Sequence, residues 1–261
     1  ILLIVGFSGA TITSLVLNDS TDLIAGWMNR TSVGSLGAGL DGPVLFMDFN
    51  KDADGTSIRD NSINNNFGTN NGATWNSSCG VTDAGNDLGG CFEFDGVNDY
   101  INLTTGQFTK GQTQLSIGAW INLDDVSDIY IILSEDTTGS TNNRYSFVVT
   151  STGEVRIAGR DDDTDSFTVF AVSGTGEIVA GQWYYITGVF DADTDNHKVY
   201  KDGVDVTLTS SSGEDGFDDT VPSTSFIGKN SPSSGKFFNG SIDNVQIFNR
   251  ALSATEIQNL Y

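Results

Sequence analysis

From Gly42 to Tyr261 the chain is cut by turn chemistry at short intervals, and this punctuation limits the possible folds more than any other feature. Apolar runs such as Leu115–Leu123 and Trp183–Asp191 are bounded on both sides by Gly, Asn, Asp, Ser or Thr. Asp54–Gly55, Thr152–Gly153, Asp202–Gly203 and Asp215–Gly216 are turn dipeptides. Short runs separated by turns about every 8–12 residues build strands of a sandwich, not helices. In Leu115–Leu123 the large apolar residues fall on alternate positions, the period of a strand with one buried face. We therefore expect strands over 43–49, 91–94, 100–103, 115–123, 129–134, 145–150, 154–158, 167–172, 183–191, 198–201, 204–208, 225–228 and 240–249. Ser253–Ala–Thr–Glu256 is a capping box that opens one terminal helical turn. With 261 residues, 31 of them Gly and only 3 Pro, the chain is long enough to bury one substantial core.

Several blocks stand in a recognisable order. They are the strand Val44–Phe49, the loop Asp60–Asn–Ser62, the turn Phe94–Asp95–Gly96–Val97–Asn98–Asp99–Tyr100 and the strand with Ala119–Trp120. The strand from Trp183, the turn Tyr200–Lys–Asp202–Gly203 and the ending Ile242–Asp243–Asn244–Val245 follow. Together they resemble the laminin-G-like, concanavalin-type jelly roll over residues 42–261. Ile63 stands where that family's loop has a glycine. The resemblance implies an all-β, antiparallel jelly-roll β-sandwich that binds or builds at cell surfaces. It also implies a structural calcium held by Asp243 on the last strand, against the first strand near Asp48, with a hydrogen-bonding role for Asp243 beside Arg250 as the competing explanation.

The charge is lopsided, 34 Asp and Glu against 12 Lys and Arg, for a net of −22. Such a field repels phosphate backbones, so nucleic acid is excluded as a partner. It suits solubility, an extracellular surface and divalent cations. Cys79 and Cys91 read as one disulfide closing a Gly-rich loop in an extracellular chain. Closing a loop of this size is worth roughly 2–3 kcal/mol. A pair of free thiols is the alternative. The sequons Asn18, Asn29, Asn76, Asn102 and Asn239 are candidate glycosylation sites.

Residues 1–41 differ from everything after them. Ile1–Leu17 carries no charge, and Ser32–Gly39 is a Ser/Gly linker. We divide the chain into an apolar assembly segment, 1–31, a linker, 32–41, and the jelly roll, 42–261. A signal peptide remnant and a membrane span compete with the assembly reading. The run is short of the about 20 apolar residues that a span needs, and no basic region precedes it. Helical spacing pairs Ile12 with Val16, Leu23 with Trp27 and Ile24 with Met28. An apolar helix, a Gly/Ser hinge and a β-domain resemble an archaeal type IV pilin or archaellin. A donated strand would satisfy the same burial. Ile4, Val5, Phe7, Ile12, Leu15, Val16, Leu23, Ile24 and Trp27 are the expected assembly contacts.

Calcium is the one cofactor expected. Asp95, Asn98, Asp99 and Asp243 are the candidate ligands. Asn50–Gly55 and Asp191–Asn196 share the 1-3-5 oxygen spacing of a calcium loop, with turn chemistry as the competing explanation. The facing of Trp75, Tyr130, Tyr145 and Tyr184 is ambiguous, and any of them could stack on a sugar. Trp120 and Trp183 are expected in the core. His197, the only histidine, is expected in a solvated acidic turn. With no second histidine and no paired-carboxylate strand motif, catalysis is poorly supported. The expected protein is a non-enzymatic, extracellular subunit of a cell-surface filament, polymerised through its N-terminal segment. The other reading is a carbohydrate-binding surface module anchored by that segment.

Overall fold

The computed structural model describes residues 42–50, 56–79, 82–83, 86–87, 89–103, 107–137, 143–160, 167–212, 216–217, 223–230 and 235–261. The expectations for the assembly segment, the linker, the sequons Asn18 and Asn29, and residues 51–55 lie outside the described residues.

Two antiparallel sheets make the sandwich. The first runs, edge to edge, β16 (Val204–Asp205), β15 (Lys198–Lys201), β14 (Trp183–Asp191), β9 (Gln114–Leu123), β19 (Asn239–Phe248), β7 (Cys91–Asp95) and β4 (Thr74–Asn76). β1 (Leu45–Met47) also pairs with β19. The second sheet runs β17 (Thr207–Ser210), β13 (Phe167–Ser173), β12 (Val155–Arg160), β11 (Asn143–Val149), β10 (Tyr130–Thr137), β18 (Ser223–Ile227), β8 (Tyr100–Leu103), β3 (Gly68–Asn71) and β2 (Ser57–Ile58). A small hairpin, β5 (Thr82–Asp83) with β6 (Asn86–Asp87), stands apart. This is the all-β, antiparallel architecture that the turn spacing predicts.

Alternation fills the space between the sheets. Leu115, Ile117, Ala119, Ile121 and Leu123 of β9 point one way and join a core cluster with Phe92, Phe147, Phe170, Phe190 and Ile242. The sheets approach closely at Gly188 of β14, where any side chain would run into Ile157 Cγ2. Residue 188 must therefore be small. The β15–β16 turn needs left-handed backbone at both Asp202 (φ 51°) and Gly203 (φ 75°), which Asp-Gly supplies.

The loop before β3 answers the Ile63 departure. Ile63 is 69% exposed, and the left-handed residue of that turn is Asn65, at φ 55°. No glycine is needed at 63. The loop is held from inside by Asp60, which accepts from Phe46 N at 2.9 Å, Ser62 N at 2.8 Å, Ser62 Oγ at 2.7 Å and Asn66 N at 2.7 Å.

Three expectations need correction. His197 is 0% exposed, because Phe190 stacks on its ring at 4.7 Å and its Nδ1 accepts from Asp191 N at 3.0 Å. Trp120 and Trp183 are half-buried and lie outside the core cluster. They sit at odds with the apolar alternation because their strands turn them to the outer face, where Trp120 packs on Tyr185 and Tyr261. The terminal helix α1 (Ala254–Leu260) is longer than one turn. Ser253 caps it, and Arg250 pairs with Glu256 at 2.7 Å. Among the described residues no helix is long and apolar enough to cross a membrane.

Candidate functional site

The four calcium candidates occupy two places. Asp95, Asn98 and Asp99 share the turn between β7 and β8. There Asp95 Oδ1 accepts from Val97 N (2.8 Å) and Asn98 N (3.1 Å), and Asp99 Oδ2 accepts from Asp95 N (3.0 Å). Burial works against the Asp95 charge, but these backbone donors outweigh it and hold its carboxyl below the usual range. Burial raises that of Asp99. The turn's oxygens thus already serve its own backbone. Asp243 lies elsewhere. Asp95 pairs with Asn239, and Asp243 follows four residues along β19, about 13 Å away at strand rise.

Asp243 is 0% exposed and accepts from Asn244 N at 2.7 Å. Asn244 has φ 50°, at a register shift of β19 against β9. Met47 pairs with Val245, and Asp48 and Asn50 follow it in the chain just beyond this corner. The Asn50 Oδ1 atom is buried with no hydrogen-bond partner. Asn50 N donates to Asp48 Oδ1 at 3.2 Å, and an orphaned amide oxygen beside a carboxylate is hard-oxygen chemistry of the kind calcium takes. Among the described residues no three His, Cys, Asp or Glu side chains come together. A calcium here would therefore draw on Asp243, Asp48 and Asn50 and on backbone oxygens.

The remaining candidates resolve plainly. Asp191 accepts from Gln114 Nε2 (2.9 Å) and Thr194 Oγ1 (2.7 Å), so the 191–196 spacing serves a turn. Cys79 and Cys91 are disulfide-bonded, with Cα atoms 5.5 Å apart. Asn76, Asn102 and Asn239 lie in β4, β8 and β19. The Nδ2 groups of Asn76 and Asn239 donate to Glu93 (2.7 Å) and Asp125 (3.0 Å). Tyr130, Tyr145 and Tyr184 are buried, and Trp75 donates from Nε1 to Phe49 O at 2.7 Å.

The most unusual chemistry lies on the outer face of the second sheet. Leu133, Ile227 and Leu103 turn to the core. Their strand neighbours Ser134, Phe226 and Asn102, which pair across β10, β18 and β8, therefore face away from it. Asp136 and Tyr100 lie on the same face, each two residues from that row but in opposite directions along the strands. Asp136 is only 3% exposed, and neither of its carboxylate oxygens has a hydrogen-bond partner. Burial, opposed by Lys229 and aided by Glu135, pushes its carboxyl up to about 7. The buried Asn102 Oδ1 also has no partner. Tyr100 and Phe226 meet edge to face, centroids 5.8 Å apart. The Lys229 ammonium sits over both rings, 3.8 Å from Tyr100 and 4.2 Å from Phe226. Burial lowers the Lys229 pKa, and the charge of Asp136 acts to raise it. On the core side, Glu135 accepts from Thr109 Oγ1 (2.7 Å), Thr109 N and Ser225 Oγ (both 3.1 Å).

Buried polar groups are normally bonded, and each unbonded one costs about 1–3 kcal/mol. Three orphaned acceptors, an ammonium and two aromatic rings thus lie on one face of the second sheet.

A family model for the concanavalin A-like lectin/glucanases superfamily matches residues 95–258. Comparison with curated protein sequences gives no match. Among solved structures, Trypanosoma rangeli sialidase in complex with sialic acid is similar at TM-score 0.60 and 16% identity, over 91% of this chain and 37% of that one. Domain 4 of AbnA, a GH43 extracellular arabinanase from Geobacillus stearothermophilus, in complex with arabinotriose, is similar at TM-score 0.58 and 17% identity. That match covers 84% of this chain and 98% of that one. The receptor binding domain of botulinum neurotoxin C/D mosaic serotype also matches at TM-score 0.58 and 17% identity, over 84% and 50% of the two chains. At these identities the likeness is one of fold. The chain spans little more than a third of the length of the sialidase.

Proposed function

The chain belongs to the concanavalin A-like lectin/glucanases superfamily, and from that premise we propose that it is a non-enzymatic carbohydrate-binding domain displayed outside the cell. Its sugar site is the outer face around Asp136, Lys229, Tyr100 and Asn102. The observation that carries this reading is Asp136, a buried carboxylate with both oxygens unbonded. A charged group of that kind is costly to bury unless a partner completes it or it takes up a proton. A sialidase that contains a similar fold was solved with sialic acid, and an arabinanase domain of similar fold with arabinotriose, which supports a sugar as the partner.

A binding role is also favoured over catalysis by His197. The chain's single histidine is packed against Phe190, and its Nδ1 is engaged by backbone, so it is not poised over a nucleophile. In this proposal calcium is structural: Asp243, Asp48 and Asn50 would hold it at the β1–β19 corner. Residues 1–31 join copies into a filament and display the domain. The support for that part is the uncharged run Ile1–Leu17.

Titrating the full chain with neutral and acidic oligosaccharides by calorimetry tests the site. Binding should be saturable, and Asp136→Asn should weaken it about tenfold or more. If no oligosaccharide binds, or if the variant binds as tightly as the native chain, this face is not a sugar site.

A further inference from the structure

We infer that a second sugar-binding surface lies on the outer face of the first sheet, a row from Trp183 to Thr74 that takes an extended, neutral oligosaccharide across the strands. It goes beyond the site around Asp136: it lies on the other sheet, rests on different residues, and shares with that reading only the class of ligand.

The sheet register lays the row out. Trp183 of β14 pairs with Asn122 of β9, Asn122 with Ser241 of β19, Ser241 with Glu93 of β7, and Glu93 with Thr74 of β4. Their strand neighbours Tyr184, Ile121, Ile242, Phe92 and Ala73 belong to the core cluster, so the side chains of the row face outward. Four steps between adjacent strands, at about 4.8 Å each, make the row about 19 Å long, the length of about four sugar rings in line. Each residue has surface that a ligand can touch: Thr74 is exposed and the other four are half-buried. Among the described residues, the Asn122, Ser241 and Thr74 side chains make no hydrogen bond. Asn76 Nδ2 donates to Glu93 Oε1 at 2.7 Å, which steadies that carboxylate and leaves Oε2 to accept. Trp183 is the described indole with neither a ring partner nor a hydrogen bond. Trp120, diagonal to it, packs on Tyr185 and Tyr261, and Trp75 donates to Phe49 O.

The chemistry of the row selects its occupant. Trp is enriched among the residues that carry binding energy, because it offers a large apolar face. A sugar ring has C–H bonds on its faces and hydroxyls at its rim. The faces stack on an indole. The hydroxyls both donate and accept, which matches Asn122 and Ser241, able to do both, and Glu93, able only to accept when ionised. A phosphate or an acidic sugar would meet the Glu93 carboxylate and a chain of net charge −22. A proline-rich peptide would also stack on the indole. Its prolines carry no N–H, however, and would leave Glu93 Oε2 without a donor.

The experiment titrates the full chain, native and Asp136→Asn, with cellotetraose, xylotetraose and mannotetraose, with their disaccharides, and with a polyproline decapeptide. At least one tetrasaccharide should bind about tenfold or more tightly than its disaccharide. Trp183→Ala should weaken it about tenfold or more in both backgrounds and remove most of the fluorescence change on binding. Asn122→Ala, which keeps the indole, should weaken it about threefold or more. Near-ultraviolet circular dichroism checks that each variant is folded, and Asn122→Ala decides the matter if Trp183→Ala is not. Sugar binding that Asp136→Asn abolishes and that neither Trp183→Ala nor Asn122→Ala touches would overturn this inference and leave the site on the second sheet standing. A disaccharide that binds as tightly as its tetramer would overturn it too. If the peptide binds and the sugars do not, or if Trp183→Ala changes the sedimentation of the chain and not its sugar binding, the row serves a peptide or a second copy and the inference is wrong. If no sugar binds, both sites fall.

Discussion

Asp136 carries its carboxylate into an outer sheet face with neither oxygen bonded, and its chemistry sets a test that needs no ligand. Burial raises its folded-state value to about 7 from 3.8, against the pull of Lys229 and with the push of Glu135. A group raised on folding contributes stability that is complete below its unfolded value. That stability is lost as pH climbs through the folded value. For Asp136 the window runs from about pH 4 to about pH 7. Asp136→Asn should therefore be more stable than the native chain at pH 8, by about 1–3 kcal/mol after the cost of a buried amide. The gap should narrow at pH 5. Paired urea titrations at the two pH values check this. A difference that does not change with pH would show that Asp136 is not desolvated in this way.

At the scale of elements, the β1–β19 corner makes the clearest prediction. A ligand that binds only the folded state raises stability by mass action. The melting temperature should rise by several degrees in millimolar calcium over chelator, and Asp243→Asn should remove most of the rise. Equal melting in both conditions would leave the corner without a metal role. The same scale shows what the sequence can convey. The bounds of β14 and β15 are readable because each is an apolar run closed by turn residues, and the structure keeps them as Trp183–Asp191 and Lys198–Lys201. β3, with the sequence GTNN, is not readable. It carries no apolar alternation and is a strand through backbone pairing with β8. The outer-face site escapes for a related reason. Asp136 looks like the polar end of a strand until β10 is laid beside β18, which brings Ser134 opposite Phe226. That pairing joins segments far apart in the chain, and no local pattern encodes it. The disulfide, by contrast, needed only two cysteines and a Gly-rich loop.

For the whole molecule, the proposal divides labour between residues 1–31 and the jelly roll. Removing residues 1–31 should leave a folded monomer that still binds sugar and no longer forms filaments, by electron microscopy and analytical ultracentrifugation. An unfolded truncation, or a monomeric full chain in detergent-free solution, would end the filament reading. The pairing of β1 with β19 has a further consequence during synthesis. Leu45 and Met47 leave the ribosome about 200 residues ahead of their partners Ile247 and Val245. Pairings this distant in sequence form slowly, and the unfinished chain exposes its edges meanwhile. The first sheet thus cannot take up its β1 strand while translation is under way, and a message cut short before β19 would yield a nascent chain with Leu45 and Met47 unsheltered, a substrate for chaperones and proteases.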